Sequence, residues 1–278
     1  MLEELQIKAI QIRKKLLSMI YKAKSGHTGG SLSCVDILVS LYYGVMRINP
    51  ENPKWDDRDR FIMSKGHSVE GYYAILADLG FFDETELETY CKYGSRLTGH
   101  PTTKVPGVEV NTGALGHGLA IGVGMALAGK MDKKDYKVYV LMGDGELDEG
   151  SVWEAAQTAS HYQLDNLIGI LDRNKLQISG PTEEVMKLEN LEAKWNAFGW
   201  KVFHVNGHDI EQLVSIFKSL PISHNMPHLV IAHTIKGKGI SFIENKKEWH
   251  HHVPNDEEFN KAMVELDQRL QELKTHAK

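Results

Sequence analysis

Short apolar runs alternate along the chain with longer segments in which apolar residues recur every three or four positions. The short runs contain many β-branched and aromatic residues and predict buried strands, whereas the longer segments predict amphipathic helices. Strands are predicted at residues 60–64, 137–142, 166–172, 201–205 and 227–234. Helices are predicted at residues 2–24, 34–46, 70–79, 83–92, 119–129, 151–162, 190–198, 210–220 and 255–274. This alternation is typical of an α/β fold. We expect one domain over residues 1–278, with a doubly wound, mainly parallel sheet and helices on both faces.

Capping residues and glycines refine the boundaries of these helices. Asp209 precedes the helix at 210–220 and is predicted to be its N-cap. Asp83 is the predicted N-cap of the helix at 83–92, and Glu86 follows at the spacing of a capping box. Residues 25–30 contain three glycines, so we expect a loop whose backbone can lie against a ligand.

The segment from residue 137 to 180 combines a strand, a tight turn, a helix and a second strand. Gly143-Asp144-Gly145 ends the first strand, and its glycines allow the backbone to turn sharply and approach a ligand. Asn174 follows the second strand. Because parallel strands end at the same edge of a sheet, Asp144 and Asn174 are expected to emerge together where such sheets bind ligands.

The chemistry of these two side chains suits a metal-bound diphosphate. One carboxylate and one amide oxygen form a hard-oxygen set for Mg²⁺ that already carries two diphosphate oxygens. Thirty residues separate Asp144 from Asn174, which is the length of one βαβ unit. A Gly-Asp-Gly sequence also occurs in ordinary turns, but the preceding strand and the later asparagine favour the metal site.

Composition narrows the class of protein. The chain has 278 residues, a net charge of −5 and two cysteines. The charge gives no indication of nucleic-acid binding, and the apolar runs are too short to span a membrane. The charged N-terminal helix does not resemble a signal peptide, and the cysteines form neither a metal motif nor a disulfide framework, which favours the cytoplasm.

Histidines recur beside glycines in the predicted loops. His27, His67 and His100 occupy three separate loops, each next to a glycine. A single loop histidine is usually uninformative, but three of them in one α/β pattern favour a shared polar site. Residues 236–239 read Lys-Gly-Lys-Gly, which could be an anion loop. No helix with the P-loop pattern follows it, so a nucleoside triphosphate site is rejected.

A family resemblance follows from these motifs. Gly143-Asp144-Gly145 with Asn174 resembles the thiamine diphosphate motif, and three neighbouring segments resemble transketolase specifically: Glu149-Gly150, Glu154-Ala155 and Asn166-Leu167-Ile168. The resemblance covers essentially the whole chain but only about the first half of a full-length transketolase. It implies the diphosphate-binding domain of the thiamine-diphosphate-binding fold.

The resemblance also implies roles for individual residues. Mg²⁺, or Ca²⁺ or Mn²⁺ in its place, would be held by Asp144, Asn174 and the backbone carbonyl of Leu176. The histidines implied in substrate binding and proton transfer are His27, His67, His100 and His250. The residues implied in cofactor binding are His67, Gly113, Leu115, His117, Gly143, Asp144, Gly145, Glu149, Asn174 and His250.

Four of these assignments leave alternatives open. The family usually has a proline soon after His27, where Thr28 and Gly29 stand here. It more often has glutamine in place of His117. Glu149 is interpreted either as part of a carboxylate network across a dimer interface or as an acid that complements the helix dipole. His250 matches the family histidine better than His251 does, but the usual following glycine is missing.

The predicted mechanism depends on the second half of a full-length transketolase, which the resemblance does not cover. The family needs a second domain that holds the aminopyrimidine ring and supplies a glutamate to it. We therefore expect the N-terminal subunit of a split transketolase, acting in a heterotetramer with a separately encoded C-terminal, pyrimidine-binding subunit. The reaction would transfer a two-carbon ketol unit from a ketose phosphate to an aldose phosphate, with the cofactor as electron sink. The sugar stays open, a branched or sulfonated donor included.

Two other functions compete with this interpretation. The first is an α-type chain of another thiamine diphosphate enzyme, of the 2-oxo-acid dehydrogenase class. The loops of His27, His67 and His100 argue against it, because such enzymes do not need this set for sugar hydroxyls. The second is a non-catalytic cofactor-binding protein, against which the intact Asp144 and Asn174 argue.

Overall fold

The computed structural model describes residues 2–276 and contains a five-stranded sheet. The strands are β1 (Arg60–Met63), β2 (Val138–Gly143), β3 (Leu167–Arg173), β4 (Lys201–Asn206) and β5 (His228–His233). Their order across the sheet is β1-β2-β3-β5-β4, and all neighbouring pairs are parallel. The predicted parallel sheet is therefore confirmed, with strand boundaries close to those expected from the apolar runs.

Helices cover both faces of this sheet, as predicted. The α-helices are α1 (Leu2–Ala23), α2 (Thr28–Ser33), α3 (Val35–Gly44), α4 (Val69–Asp78), α5 (Gly118–Met131), α6 (Gly150–His161), α7 (Thr182–Val185), α8 (Leu191–Ala197), α9 (Ile210–Ser219) and α10 (Asp256–His276). One buried cluster joins the sheet to α1, α3, α4, α9 and α10, and a second joins it to α5, α6 and α8. Along β2, Tyr139 and Leu141 enter the first cluster while Val140 and Met142 enter the second, because side chains alternate between the faces of a strand.

The glycine-rich segment after α1 differs from its prediction. Residues 28–30 are predicted in a loop but form the start of helix α2. A Cβ on Gly29 would lie 2.8 Å from the carbonyl oxygen of Trp249, and one on Gly30 would lie 2.7 Å from Ser68 Oγ. Glycine has a low helix propensity, so the close tertiary packing that it permits decides the conformation here.

The predicted helix at residues 83–92 is also wrong in detail. Residues 84–89 form a 3₁₀ helix, capped by Asp83, which accepts a hydrogen bond from the Thr85 N–H at 2.8 Å. Glu86 does not close a capping box and instead pairs with Arg96 at 2.7 Å. The N-cap at Asp209 is confirmed, since its carboxylate accepts the Gln212 N–H at 3.0 Å. No helix within residues 2–276 has the length and apolarity to cross a membrane.

Candidate active site

A cavity of about 350 Å³ lies at the carboxyl edge of the sheet, which is a usual size for a small-ligand site. Its walls come from the ends of β1, β2 and β3 and from loops of distant sequence position. Eleven residues predicted from the sequence line it: His27, His67, His100, Gly113, Leu115, Gly143, Asp144, Gly145, Asn174, Leu176 and His250. The fold therefore brings together residues from seven separate segments, as a shared site requires.

Asp144 and Asn174 emerge side by side at this edge. Gly143 at the end of β2 pairs with Asp172 near the end of β3, so the turns that follow both strands are adjacent. Asp144 accepts the Lys175 N–H at 2.6 Å, which ties the first turn to the second. Both side chains are buried, at 2% and 7% exposure. Both residues line the same cavity.

Arg173 supports the Asp144 carboxylate from behind. Its guanidinium is buried and lies 3.2 Å from Asp144 Oδ2, and it also contacts Glu183 and Glu189 at 2.9 Å each. Burial and the neighbouring Asp172 raise the pKa of Asp144, while the Lys175 N–H and Arg173 act in the opposite direction. A bound cation would favour the ionised carboxylate in the same way as Arg173 does.

Lys236 is a site residue that the sequence analysis missed. Its side chain is buried, at 2% exposure, and its Nζ donates to the Leu176 carbonyl oxygen at 3.1 Å. His250 Nδ1 lies 2.8 Å from the same nitrogen. Burial, followed by repulsion from Lys65, lowers the pKa of Lys236 to about 8. The signal that could have found it is the Lys-Gly-Lys-Gly segment at residues 236–239, which contains the lysine that lines the cavity.

The second buried lysine of the cavity, Lys65, has a compensated charge. Its Nζ forms an ion pair with Asp172 and donates to the Gly30 carbonyl oxygen at 3.0 Å. Within residues 2–276 no carboxylate forms a comparable ion pair with Lys236. In this part of the chain, Lys236 therefore gives the cavity a buried positive charge that only the more distant Asp144 and Asp172 offset, which favours an anionic ligand.

The four predicted histidines converge in the same cavity. The His27 ring centroid lies 5.1 Å from that of His67, 6.4 Å from that of His100 and 5.7 Å from that of His250. Burial, together with nearby cationic groups, lowers the pKa of His27 to about 4 and that of His250 to about 3. The rings of His27 and His250 are consequently neutral at pH 7, each with one N–H donor and one bare nitrogen. In His250 the bare nitrogen is Nδ1, which accepts from the Lys236 ammonium group, so Nε2–H is the donor left for a ligand.

The structure shows which of the residues with open assignments line the cavity and which lie outside it. His250 lines the cavity, whereas His251 is exposed beside it, with its ring 4.4 Å from that of His27. His117 is exposed and its Nδ1 lies 3.0 Å from the Leu115 carbonyl oxygen. Glu149 is also exposed, at the N-cap of α6, and makes no capping hydrogen bond through its side chain. His117 and Glu149 therefore lie outside the cavity, and their predicted roles stay predictions.

Glu146 is a buried anchor of the cavity wall. Its carboxylate accepts the Gly116 N–H at 2.9 Å, the Gly143 N–H at 3.1 Å and the Ser64 hydroxyl. Burial raises the pKa of Glu146, and these three donors oppose that change. The side chain thereby joins the loop before α5 to the end of β2. Sequence reasoning missed it because nothing local marks a glutamate that tertiary contacts will bury.

Glu70 has the same role beneath the His27 loop. This fully buried residue of α4 accepts the His27 N–H at 2.8 Å and the Tyr90 hydroxyl at 2.9 Å, and it also bonds the Ser31 hydroxyl. The backbone of His27 is therefore fixed from below. The position of its ring in the cavity follows from this anchor and not from the glycine-rich segment alone.

Comparison with known proteins agrees with this geometry. The family profile "Transketolase, thiamine diphosphate binding domain" matches residues 4–269. The chain is 52% identical, over 98% of its length and 96% of the relative's, to an apulose-4-phosphate transketolase subunit of Phocaeicola vulgatus. It is 43% identical, over 95% of its length and 96% of the relative's, to a 6-deoxy-6-sulfo-D-fructose transketolase subunit of a Clostridium species.

A solved structure shows the same relationship in three dimensions. The crystal structure of transketolase from Campylobacter jejuni matches with a TM-score of 0.89 and 35% sequence identity, and the match covers 95% of this chain and 42% of that one. The chain thus spans about two fifths of that transketolase but nearly the full length of the P. vulgatus and Clostridium subunits.

These findings identify the class: the chain belongs to the transketolase family, through its thiamine diphosphate binding domain. Within that family it corresponds to the N-terminal subunit of a split transketolase, since its relatives of matching length are separate transketolase subunits. The family, the fold and the type of subunit expected from the sequence are confirmed.

Proposed function

We propose that this chain binds thiamine diphosphate and a divalent cation in the cavity and catalyses ketol transfer together with a separate C-terminal, pyrimidine-binding subunit. A two-carbon unit would pass from a ketose phosphate to an aldose phosphate. The observation that carries the proposal is the meeting of Asp144 and Asn174 with four loop histidines in one cavity, in a chain of this family.

The oxygens around Asp144 fit a hard divalent cation. The proposed ligands are the carboxylate of Asp144, the amide oxygen of Asn174 and the carbonyl oxygen of Leu176, which are groups that Mg²⁺ accepts, as do Ca²⁺ and Mn²⁺. The Leu176 carbonyl already accepts a hydrogen bond from the ammonium group of Lys236 at 3.1 Å. Among residues 2–276 no group of three or more His, Cys, Asp or Glu is arranged to hold a metal. The coordination of a metal bound here would be completed by backbone and diphosphate oxygens.

The backbone around Gly143 and the side chain of Lys236 fit the diphosphate. A Cβ added to Gly143 would meet no protein atom closer than 3.8 Å, so the glycine is not required by packing and leaves room on the cavity side. Lys236 supplies a buried positive charge without an ion-pair partner among residues 2–276, beside the Leu176 carbonyl oxygen. Charge-assisted hydrogen bonds of this kind are about twice as strong as neutral ones. Gly113, Leu115 and Gly145 are proposed as backbone contacts of the same cofactor.

When bound, thiamine diphosphate supplies the carbanion and the electron sink for the cleavage of the ketose. The histidines His27, His67, His100 and His250 are proposed to bind sugar hydroxyls and to move protons at those oxygens. A neutral ring can donate through one nitrogen and accept through the other without a change of charge. Low pKa values keep His27 and His250 in this form at pH 7.

The relatives of matching length support a separate partner. They are named as transketolase subunits, whereas the C. jejuni transketolase is a longer chain of which the match covers 42%. The proposed C-terminal subunit provides the pyrimidine-binding part. We expect a heterotetramer in the cytoplasm, with Glu149 at an interface between the cofactor sites. Cys34 and Cys91 are both free thiols, which fits a reducing compartment.

The same relatives guide the choice of donor sugar. They are named for apulose 4-phosphate and for 6-deoxy-6-sulfo-D-fructose. We take apulose 4-phosphate as the first candidate donor, because the relative with that name is 52% identical across nearly the whole chain. Ordinary ketose phosphates and the sulfonated ketose serve as comparison donors.

The test is an assay of the chain co-purified with its C-terminal subunit, in the presence of thiamine diphosphate and Mg²⁺. Ketol transfer from at least one of the ketoses is expected, and none from 2-oxo acids. The Asp144→Ala variant should lose Mg²⁺-dependent cofactor binding in calorimetry. An inactive complex on every ketose, activity on 2-oxo acids alone, or unchanged cofactor affinity of the variant would contradict the proposal.

A further inference from the structure

A buried network of arginine, aspartate and histidine lies behind the Lys236 loop, outside the cavity. Arg13 on α1 binds Asp36 on α3 with two hydrogen bonds, of 2.9 and 2.7 Å. His208, which precedes α9, places its Nδ1 2.7 Å from Asp36 Oδ2. Arg13 and Asp36 are each 5% exposed. Burial would raise the pKa of Asp36, but the charge of Arg13 and the hydrogen bonds of the network outweigh it and lower this pKa to about 2.

The hydrogen bonds of His208 define its protonation. Its Nε2 lies 2.8 Å from the backbone nitrogen of Ile235. A backbone N–H can only donate, so Nε2 must be the bare acceptor nitrogen. Nδ1 therefore carries the proton and donates it to Asp36. Both nitrogens of a neutral ring are thus used, and the aspartate selects the tautomer that can accept from Ile235.

The network holds the Lys236 loop at two points that flank the lysine. Ile235 precedes Lys236 and is held by His208, while the Lys238 carbonyl oxygen accepts a hydrogen bond from Arg13 Nε at 2.9 Å. Glycine at 239 allows this approach, because a Cβ there would lie 2.8 Å from Arg13 Cδ. The ammonium group of Lys236 then reaches the cavity wall at Leu176.

We propose that His208 is a positioning residue for the cofactor site, which fixes Lys236 through the Ile235 N–H. The inference rests on the proposed function, since it assumes that Lys236 binds the cofactor diphosphate. His208 itself touches neither the cavity nor any proposed ligand. Its effect passes through one backbone hydrogen bond, and that hydrogen bond can be separated experimentally from the contact with Asp36.

Two substitutions of His208 separate its hydrogen bond to Asp36 from its hydrogen bond with the Ile235 N–H. Asparagine places its amide where Nδ1 stands, so His208→Asn keeps a donor to Asp36 and leaves the Ile235 N–H without an acceptor. Glutamine reaches the position of Nε2, so His208→Gln keeps an acceptor for Ile235 and loses the donor to Asp36. A role in packing alone would affect both variants alike. A positioning role separates them.

The measurement is the affinity of the chain, co-purified with its C-terminal subunit, for thiamine diphosphate at fixed Mg²⁺. We expect His208→Asn to weaken binding about tenfold, the equivalent of one backbone hydrogen bond, and His208→Gln to stay within about threefold of the parent. Hydrogen–deuterium exchange of the Ile235 amide should accelerate in His208→Asn and stay slow in His208→Gln. This second readout does not depend on activity.

Each outcome decides a different point. Parent complex that fails to bind thiamine diphosphate overturns the proposed function and this inference with it. A parent that binds, with both variants equal in affinity, overturns the positioning role alone. Should His208→Asn fail to fold, His208→Gln still tests the proposal, because a large loss of affinity or fast Ile235 exchange in that variant contradicts it.

Discussion

Replacing Lys236 by methionine should stabilise the ligand-free chain at pH 7 while weakening its binding of the cofactor. The ammonium group is buried at 2% exposure and has no carboxylate partner among the described residues. Its hydrogen bonds go to the Leu176 carbonyl oxygen and to His250. Methionine is similar in length and fills the same space without a charge.

The magnitude follows from the pKa of Lys236, which burial and repulsion from Lys65 lower from 10.5 to about 8. A difference of about 2.5 pKa units corresponds to about 3 kcal/mol by which the charged form disfavours folding at pH 7. Removal of the two hydrogen bonds offsets about 1–2 kcal/mol of that gain. We therefore expect the free energy of unfolding to rise by about 1–2 kcal/mol in the Lys236→Met variant.

The pH dependence gives the sign of the effect. The unfolded chain holds the Lys236 proton up to pH 10.5, whereas the folded chain releases it near pH 8. Between these values the folded state binds fewer protons, so the stability of the parent rises with pH through this residue. The advantage of the variant should shrink by about 2 kcal/mol between pH 7 and pH 10.

The assay is urea denaturation of both chains, followed by circular dichroism at pH 7, 8, 9 and 10. Cofactor affinity should fall about 10- to 100-fold, the loss of one charge-assisted hydrogen bond. Lys238→Met is the matched control, since it removes a partly exposed lysine paired with Glu244 from the same loop. Its effect on stability should be about 1 kcal/mol or less. A Lys236→Met chain that is less stable than the parent at pH 7, or a difference independent of pH, would refute the reasoning.

Three further predictions test the cavity wall. Glu146→Gln should cost about 1–3 kcal/mol, because the glutamine amide has one acceptor oxygen and leaves at least one of the three buried donors without an acceptor, and chemical denaturation measures this. Gly113→Ala should lower both the melting temperature and ketol transfer, since φ is +136° and the new Cβ would lie 2.6 Å from His100 Cδ2. Gly94→Ala, with φ +79° and open space around it, is its control for backbone strain alone. The pKa of His67 is lowered to about 2, chiefly by burial, so its folded form stays neutral as the unfolded form gains a proton below pH 6.5. The stability of the parent should thus lose about 1 kcal/mol more than that of His67→Gln between pH 7.5 and pH 5.5, and equal losses would contradict the assignment.

The parallel sheet and its ligand edge were predictable because their signals are local. A short apolar run rich in β-branched residues predicts a buried strand from local sequence alone. Asp144 and Asn174 directly follow two such strands. Once β2 and β3 pair in parallel, the two side chains must emerge at the same edge. A shared site for His27, His67 and His100 was predicted because each stands beside a glycine in a predicted loop, and the family resemblance added His250.

The missed features depend on partners far away in the chain. Helix α2 forms because Gly29 can pack against the backbone of Trp249, although glycine alone disfavours a helix. Likewise, the capping box at Glu86 yields to an ion pair with Arg96, which local spacing does not reveal. Neither outcome contradicts the physical rules applied to the sequence, since a stronger tertiary contact decided each case.

By itself, the sequence determined the fold class, the position of the ligand edge and the chemistry of the proposed metal-ligand set. These features were predictable because the spacing of apolar residues, the ends of strands and the type of each residue are properties of short segments. The tertiary structure alone decided which charges are buried and which of them have partners. Lys236 meets Leu176 across 60 positions, Glu146 meets Ser64 across 82 and His208 meets Asp36 across 172. Burial and charge compensation are properties of those encounters, and they set the pKa values and the rigidity on which the cavity depends.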